Sequence, residues 1–499
     1  MRYRFLIIVS FFSISNLILN AQVVVKDTIP KYSYTTVTEF WSQMDDIFND
    51  PNFSNANWGV LIQSLETGEY FYKRNENKLF MPASNLKLFT SSAGLVLLGD
   101  DYKFTTNIYK RGRMEGSTLI GDLVVQGRGD ATLSGRFYKN DAVKVFSNWA
   151  DSLLKLGIDE ITGSIIGDDN EFDDLGLGAG WEWDYESDWY AAQSSAISFN
   201  DNCIDIVVTA DAITGQAKIN ISPDTKYAAI VNKVSVVNND SATSINVYRE
   251  RGTNVISVFG TIRKSDSLKT YVTVNNPTQY TMVVLKEVLE SKGIIVGGFP
   301  MDIDDMSSPI DYNELSKLFT HYSPNLKEVV KIINKNSQNF YAEQLLKTIG
   351  LEKENFGSIE NGLTACNSVF QEMGINPENM RMVDGSGLSR SNLVTPKQII
   401  SLLNYMYQNK YYLPFYNSLP IAGVDGSLAN RMKGTKAENN VRAKTGFIGS
   451  VRSLSGYVST GDNEPVAFSM IVNNFTVPLK LAENIQDLVC NRLANLKRK

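Results

Sequence analysis

The sequence predicts an α/β domain that carries a large β-rich insertion, on three observations. Strand-like and helix-like periods alternate at both ends of the chain. Residues 100–274 change to many short β-like runs, and the C-terminal region closes with three apolar-rich segments followed by an amphipathic helix. At 499 residues, 43% hydrophobic and 20% charged, the chain can bury large cores and allows two to four domains.

In chain order, residues 58–64 and 70–73 alternate in polarity around Glu66-Thr67-Gly68, which predicts a hairpin. Pro82 opens a helical stretch whose Leu86, Phe89, Ala93 and Leu97 fall on one face, and Gly99 ends it. Residues 119–126, 204–210, 244–249 and 255–261 are β-like. One amphipathic helix, residues 142–156, interrupts them, with Leu153 and Leu154 assigned to its buried face. After Pro277 the sequence predicts mainly helices. Leu326, Val329, Val330 and Ile333 mark one that ends before Asn336-Ser337, and Phe340, Leu345, Leu346 and Ile349 mark the next. Residues 441–445, 451–458 and 466–473 are the late apolar segments, the last two split by Thr460-Gly461-Asp462-Asn463, and residues 479–496 form the final helix. The terminal parts, 22–99 and 275–499, are therefore expected to build one α/β domain around the insertion at 100–274.

Arg2 and Arg4 precede an apolar run over residues 5–19 that ends at Leu19-Asn20-Ala21. A positive start, a short apolar core and a small residue at the break describe a secretory signal peptide over residues 1–21. Spanning a bilayer takes about 20 apolar residues, and this shorter run contains three serines. The mature chain is expected to begin near Gln22, outside the cytoplasm, with no integral membrane segment. A net charge of -6 argues against a nucleic-acid partner. Cys203, Cys366 and Cys490 are widely spaced, without a CxxC pair, and allow at most one disulfide; small buried side chains are their expected role. His321 is the only histidine, which excludes a His-rich metal centre and leaves a Ser-His-Asp triad dependent on one residue.

Three short motifs carry the chemistry. Ser84-Asn85-Leu86-Lys87 sits at a helix start, where residues three apart share a face and a hydroxyl can meet an amine. The same spacing at Ser152 and Lys155 falls inside a helix and is read as chance. Ser337-Gln338-Asn339 lies on the break between two helices, and Lys444-Thr445-Gly446, followed by Phe447, lies on a late strand. Each motif is weak alone; the ordered set is that of active-site serine penicillin-interacting enzymes. A serine hydroxyl needs a base, and Lys87 can serve only when neutral. Partial burial and the neighbouring Lys444 are expected to lower its pKa. Ser337 can relay a proton, Asn339 can hold the substrate amide, and Lys444 and Thr445 can bind a C-terminal carboxylate. Gly446 would let the substrate backbone lie close, and the N–H groups of Ser84 and Phe447 would form an oxyanion hole. The set requires neither a metal nor a cofactor.

With these motifs the chain resembles the D-alanyl-D-alanine carboxypeptidase/endopeptidase family, the class C low-molecular-mass penicillin-binding proteins. The resemblance extends through Gly180-Trp181-Glu182-Trp183, residues 198–202, Asp384-Gly385-Ser386-Gly387-Leu388-Ser389-Arg390 and residues 419–428. It implies a transpeptidase/β-lactamase-like domain, an antiparallel sheet flanked by helices, with two β-rich domains inserted after the SxxK helix. It also implies cleavage of D-Ala-D-Ala ends or D-Ala–diamino-acid cross-links in peptidoglycan, covalent inhibition by β-lactams, and a place for Arg390 near the substrate's side-chain carboxylate. Two positions depart from relatives: Gly176 stands where an acidic residue can occur, and Gly449 where a polar one does.

Two other functions fit some of these residues. A β-lactamase shares the three motifs but has far fewer residues between the first two and needs an extra base for fast deacylation. A catalytically idle wall-binding protein would have no need of the nucleophile and base. Gly127-Arg128-Gly129-Asp130 lacks a Walker lysine and is read as a tight turn, and Trp181, Trp183, Trp189 and Tyr190 as packing aromatics.

Overall fold

The computed structural model describes residues 37–211, 215–307 and 309–498. The expected signal peptide lies outside them. Among the described residues no helix is long and apolar enough to cross a membrane.

Five antiparallel strands form the central sheet, in the order Arg442–Ile448, Val451–Ser459, Pro465–Asn473, Asn57–Ser64 and Tyr70–Arg74. The first hairpin therefore pairs with the last, through a continuous register from Asn57 opposite Asn473 to Ser64 opposite Val466. Alternate side chains point to opposite faces of a strand, and both faces are buried. Val60, Ile62, Phe468 and Met470 pack with helices Val37–Phe48 and Leu479–Asn495. Leu61, Ala467 and Ile471 pack with Lys87–Leu98, Leu326–Lys335, Asn339–Glu354 and Pro396–Gln408. The helix-flanked antiparallel sheet expected from the sequence is present.

Residues 105–322 contain a seven-stranded sheet and two three-stranded sheets. Strands Thr105–Glu115 and Thr118–Gly127 anchor the larger one, and helices Lys144–Lys155 and Pro277–Ser291 share its core. This sheet extends past the expected boundary at 274. Ile295–Val296, Pro300–Asp302 and Ser316–Tyr322 all hydrogen-bond to insertion strands. Two of these are only two or three residues long, and the third is polar and half-exposed, so no alternating pattern marked them. Leu154 is also corrected: Leu153 is buried on the Lys144–Lys155 helix, whereas Leu154 is exposed. All three cysteines are buried and free. His321 sits in the strand Ser316–Tyr322, 3.8 Å from buried Asp130 and against Trp149, in a packing role.

Candidate active site

Ser84 is reached through a strained turn. Ala83, buried and not glycine, has φ 47 and leads into a 3-10 turn, Ala83–Leu86, which runs directly into the helix Lys87–Leu98. A positive φ is uncommon for residues with a Cβ and persists only where surroundings enforce it. Here Gly387 backs against Ala83: a Cβ on Gly387 would come within 2.0 Å of the Ala83 carbonyl oxygen. Gly99, with φ 89, caps the helix as expected.

Lys87 is fully buried and has three neighbours around Nζ: Ser84 Oγ at 3.0 Å, Asn339 Oδ1 at 2.6 Å and the Ser386 carbonyl at 2.7 Å. The Asn339 amide can face only one way, because its Nδ2 donates to the Tyr190 carbonyl at 2.7 Å. Burial lowers the Lys87 pKa to about 7, against the opposing pull of Glu343 and Asp384. Of the two expected causes, burial acts and the neighbouring Lys444 does not. Burial is complete and dominates, and the like-charge effect falls on Lys444, which is lowered by burial first, then by Lys87 and Arg452.

The other two motifs converge on the same place. Ser337 has φ 57 at the break between helices and accepts from Lys444 Nζ at 2.8 Å. Thr445 Oγ1 lies 2.7 Å from Ser427 Oγ, so residues 419–428 support the KTG strand. Asn85 ties that strand to the turn that carries Ser84, its Nδ2 donating to the Lys444 carbonyl at 3.0 Å. A Cβ on Gly446 would lie 2.2 Å from Ser453 Oγ, 2.7 Å from the Pro82 carbonyl oxygen and 3.0 Å from Ser84 N. The close approach of the strand to the Ser84 backbone thus requires a glycine here. Phe447 is half-exposed at the strand's end. The second SxxK is elsewhere, its Ser152 Oγ donating to the Asn148 carbonyl on the insertion helix.

Arg390 joins three segments. Its Nε donates to Glu182 at 3.1 Å and its Nη2 to the Gly449 carbonyl at 2.8 Å. A side chain at Gly449 would meet that guanidinium at 2.8 Å, so the departure at 449 makes room for Arg390. Gly176 lies on a loop whose Asp173 is taken by Lys347 at 2.6 Å. Trp181 Nε1 donates to Asp384 at 3.0 Å, a packing role, while Trp183 and Trp189 remain exposed.

Sequence reasoning missed Glu343, the Ser386 and Tyr190 carbonyls, and Ser453. Only Ser386 lay in a quoted motif; the others become visible through folding. For a metal, the described residues offer one cluster, Asp169, Asp302 and Asp304, whose carboxylates approach within 4.8 Å of one another. Asp169 and Asp302 are already held by Ser195, Thr278 and Asn276, and none of the cluster takes part in the lysine-serine constellation.

The sequence profile of the D-Ala-D-Ala carboxypeptidase 3 (S13) family matches residues 41–496. A D-alanyl-D-alanine carboxypeptidase of Actinomadura sp. (strain R39) is 33% identical over 470 residues, covering 92% of this chain and 85% of its own. The D-alanyl-D-alanine carboxypeptidase DacB of Haemophilus influenzae is 28% identical over 449 residues, 86% of this chain and 90% of that one. The crystal structure of penicillin binding protein 4 (dacB) from Haemophilus influenzae superposes with a TM-score of 0.78 at 26% identity, covering 90% of this chain and 99% of that one. A structure of the same protein complexed with a β-lactam gives 0.72 over 90% and 97%.

Proposed function

The chain belongs to the D-Ala-D-Ala carboxypeptidase 3 (S13) family of serine-type peptidases, and from that premise we propose that it cleaves peptidoglycan stem peptides and cross-links through an acyl-enzyme on Ser84, with Lys87 as base. One observation carries the assignment. A neutral lysine amine has two N–H bonds and one lone pair. Two of the three neighbours of Nζ, Asn339 Oδ1 and the Ser386 carbonyl, carry no proton and can only accept. They take both N–H bonds, and the lone pair is left for the Ser84 hydroxyl. Burial keeps the amine neutral from about pH 7 upward.

In the proposed reaction Lys87 takes the hydroxyl proton as Ser84 Oγ attacks the carbonyl carbon of the penultimate D-Ala. The N–H groups of Ser84 and Phe447 stabilise the oxyanion. Lys444 and Thr445 hold the C-terminal carboxylate, whose charge favours the ammonium form of Lys444. Ser337, on Lys444 Nζ, passes a proton to the leaving amine. Water then attacks the ester and restores Ser84. β-Lactams acylate the same serine. Asn339 positions Lys87 as well as substrate. The segment 100–274 is proposed to comprise inserted β-rich domains, continued by the strands up to Tyr322. The leader at 1–21 is proposed to deliver the chain to the periplasm or another extracytoplasmic site.

Incubation with a fluorescent penicillin tests the assignment. A long-lived adduct on Ser84 is expected. Rapid turnover would make the chain a β-lactamase, and absence of any adduct an idle binder. Digestion of purified cell wall, with sorting of monomeric from cross-linked products, then resolves carboxypeptidase from endopeptidase action.

A further inference from the structure

Glu343 is 3% exposed, one turn into the helix Asn339–Glu354, and takes no part in the proposed bond making or breaking. Carboxylates are rarely buried so deeply without partners. Its partners are backbone: Oε2 accepts the Gly385 N–H at 2.9 Å and Oε1 the Ser386 N–H at 2.8 Å. Two successive N–H groups on the two oxygens of one carboxylate fix the orientation of that stretch of chain. The loop can come this near because residue 385 has no side chain: a Cβ there would lie 2.7 Å from the Ala342 carbonyl oxygen. Thr90 holds the loop from the other side, its Oγ1 donating to the Gly385 carbonyl at 2.7 Å. The carbonyl of Ser386, so oriented, is the one that accepts from Lys87 at 2.7 Å.

Asn339 and Glu343 are four residues apart and share a helix face. One presents its own oxygen to Lys87, and the other presents the oxygen of Ser386. We propose that Glu343 is a positioning residue for the base, holding the Ser386 carbonyl on Lys87 Nζ and supplying buried negative charge that governs how readily the amine loses its proton. Two charged groups act on Lys87, Glu343 and Asp384, and both favour the ammonium. The neighbouring Lys444 is itself lowered, by burial first and then by Lys87 and Arg452. Burial raises the Glu343 pKa to about 7, with Asp384 adding to the effect and Lys87 opposing it, so its charge changes within the working range of the base.

The proposal rests on Lys87 being the base, and two substitutions separate its parts. Glu343→Gln removes the charge and, because its Nε2 cannot accept, one of the two backbone hydrogen bonds as well. The charge role is therefore read from the pH midpoint and the positioning role from the rate. With less negative charge nearby, Lys87 should lose its proton more easily, and the midpoint of penicillin acylation against pH should fall by about one unit. Glu343→Asp keeps the charge but shortens the reach, so the midpoint should hold while the plateau rate falls about tenfold. A Gln variant with an unmoved or raised midpoint overturns the charge role. An Asp variant that acylates at the parental rate overturns the positioning role, and it decides the proposal even if the Gln variant does not fold. Lys87→Met serves as the control on the base itself. Parental acylation in that variant would remove the base assignment, whereas a dead Lys87→Met beside unaffected Glu343 variants would remove only this inference.

Discussion

Replacing Gly446 with alanine tests how closely the KTG strand must approach the nucleophile. The new Cβ would stand 2.2 Å from Ser453 Oγ, 2.7 Å from the Pro82 carbonyl oxygen and 3.0 Å from Ser84 N. Ordinary carbon contacts need about 3.5 Å or more, so the strand or the turn must retreat by roughly 1 Å. Rotating Ser453 away relieves the nearest contact but breaks its 2.6 Å hydrogen bond to the Pro82 carbonyl. Overpacking of this kind costs about 1–3 kcal/mol. The larger effect should be kinetic, because the displaced atoms belong to the proposed oxyanion site. Complete loss of one such donor costs about 100- to 1000-fold in rate, so a partial retreat should cost about tenfold or more. Fluorescent-penicillin acylation rates and thermal unfolding on parent and variant measure both. Combining Gly446→Ala with Ser453→Ala should recover stability but little of the rate, since Pro82 and Ser84 are still crowded. Acylation within about threefold of the parent by the single variant would refute the reasoning, because the effect of an intact oxyanion site is far larger than that.

Ser84→Ala should abolish penicillin labelling and hydrolysis, while Ser152→Ala should leave both intact; mass spectrometry of the adduct locates the serine. In the parent, acylation should rise with pH through about 7 and level off above it as buried Lys87 loses its proton, and a rate that does not fall between about pH 8 and about pH 6 would remove it as base. Arg390→Ala frees both Glu182 and the Gly449 carbonyl. If the guanidinium also meets substrate, kcat/KM should fall more for peptides with a free side-chain carboxylate than for their amidated counterparts. Equal losses on both would restrict Arg390 to holding the loops together.

The site residues were legible because their chemistry is local. SxxK needs only one helical turn to bring an amine to a hydroxyl, and the ordered set of SxxK, SxN and KTG carried a weight that no single motif had. The central sheet was legible for a similar reason, its strands being long and strongly apolar. What the sequence concealed depends on contacts between distant segments. Nothing local marks Ala83 or Ser337 for a positive φ, since the packing of Gly387 and the break between helices impose it. Glu343 reads as an ordinary polar position on an amphipathic helix until the Gly385-Ser386 backbone folds over it. Burial was among the expected causes of the lowered Lys87 pKa, but its completeness could not be read from motifs, whereas a neighbouring cation could. The short strands at 295–302 joined the insertion's sheet without any periodic signal of their own.

The pairing of Asn57–Ser64 with Pro465–Asn473 also has a consequence for biosynthesis. During synthesis Ser84, the proposed nucleophile, emerges hundreds of residues before the strand that bears Lys444. Until the last hairpin arrives, Ser84 lacks Lys444, and the platform beneath it lacks three of its five strands. Long-range sheet pairing of this type forms late and slowly. A ribosome-bound or truncated chain should therefore be inert toward penicillin and wall peptides alike, and hydrolytic power should appear only when the two ends of the polypeptide meet.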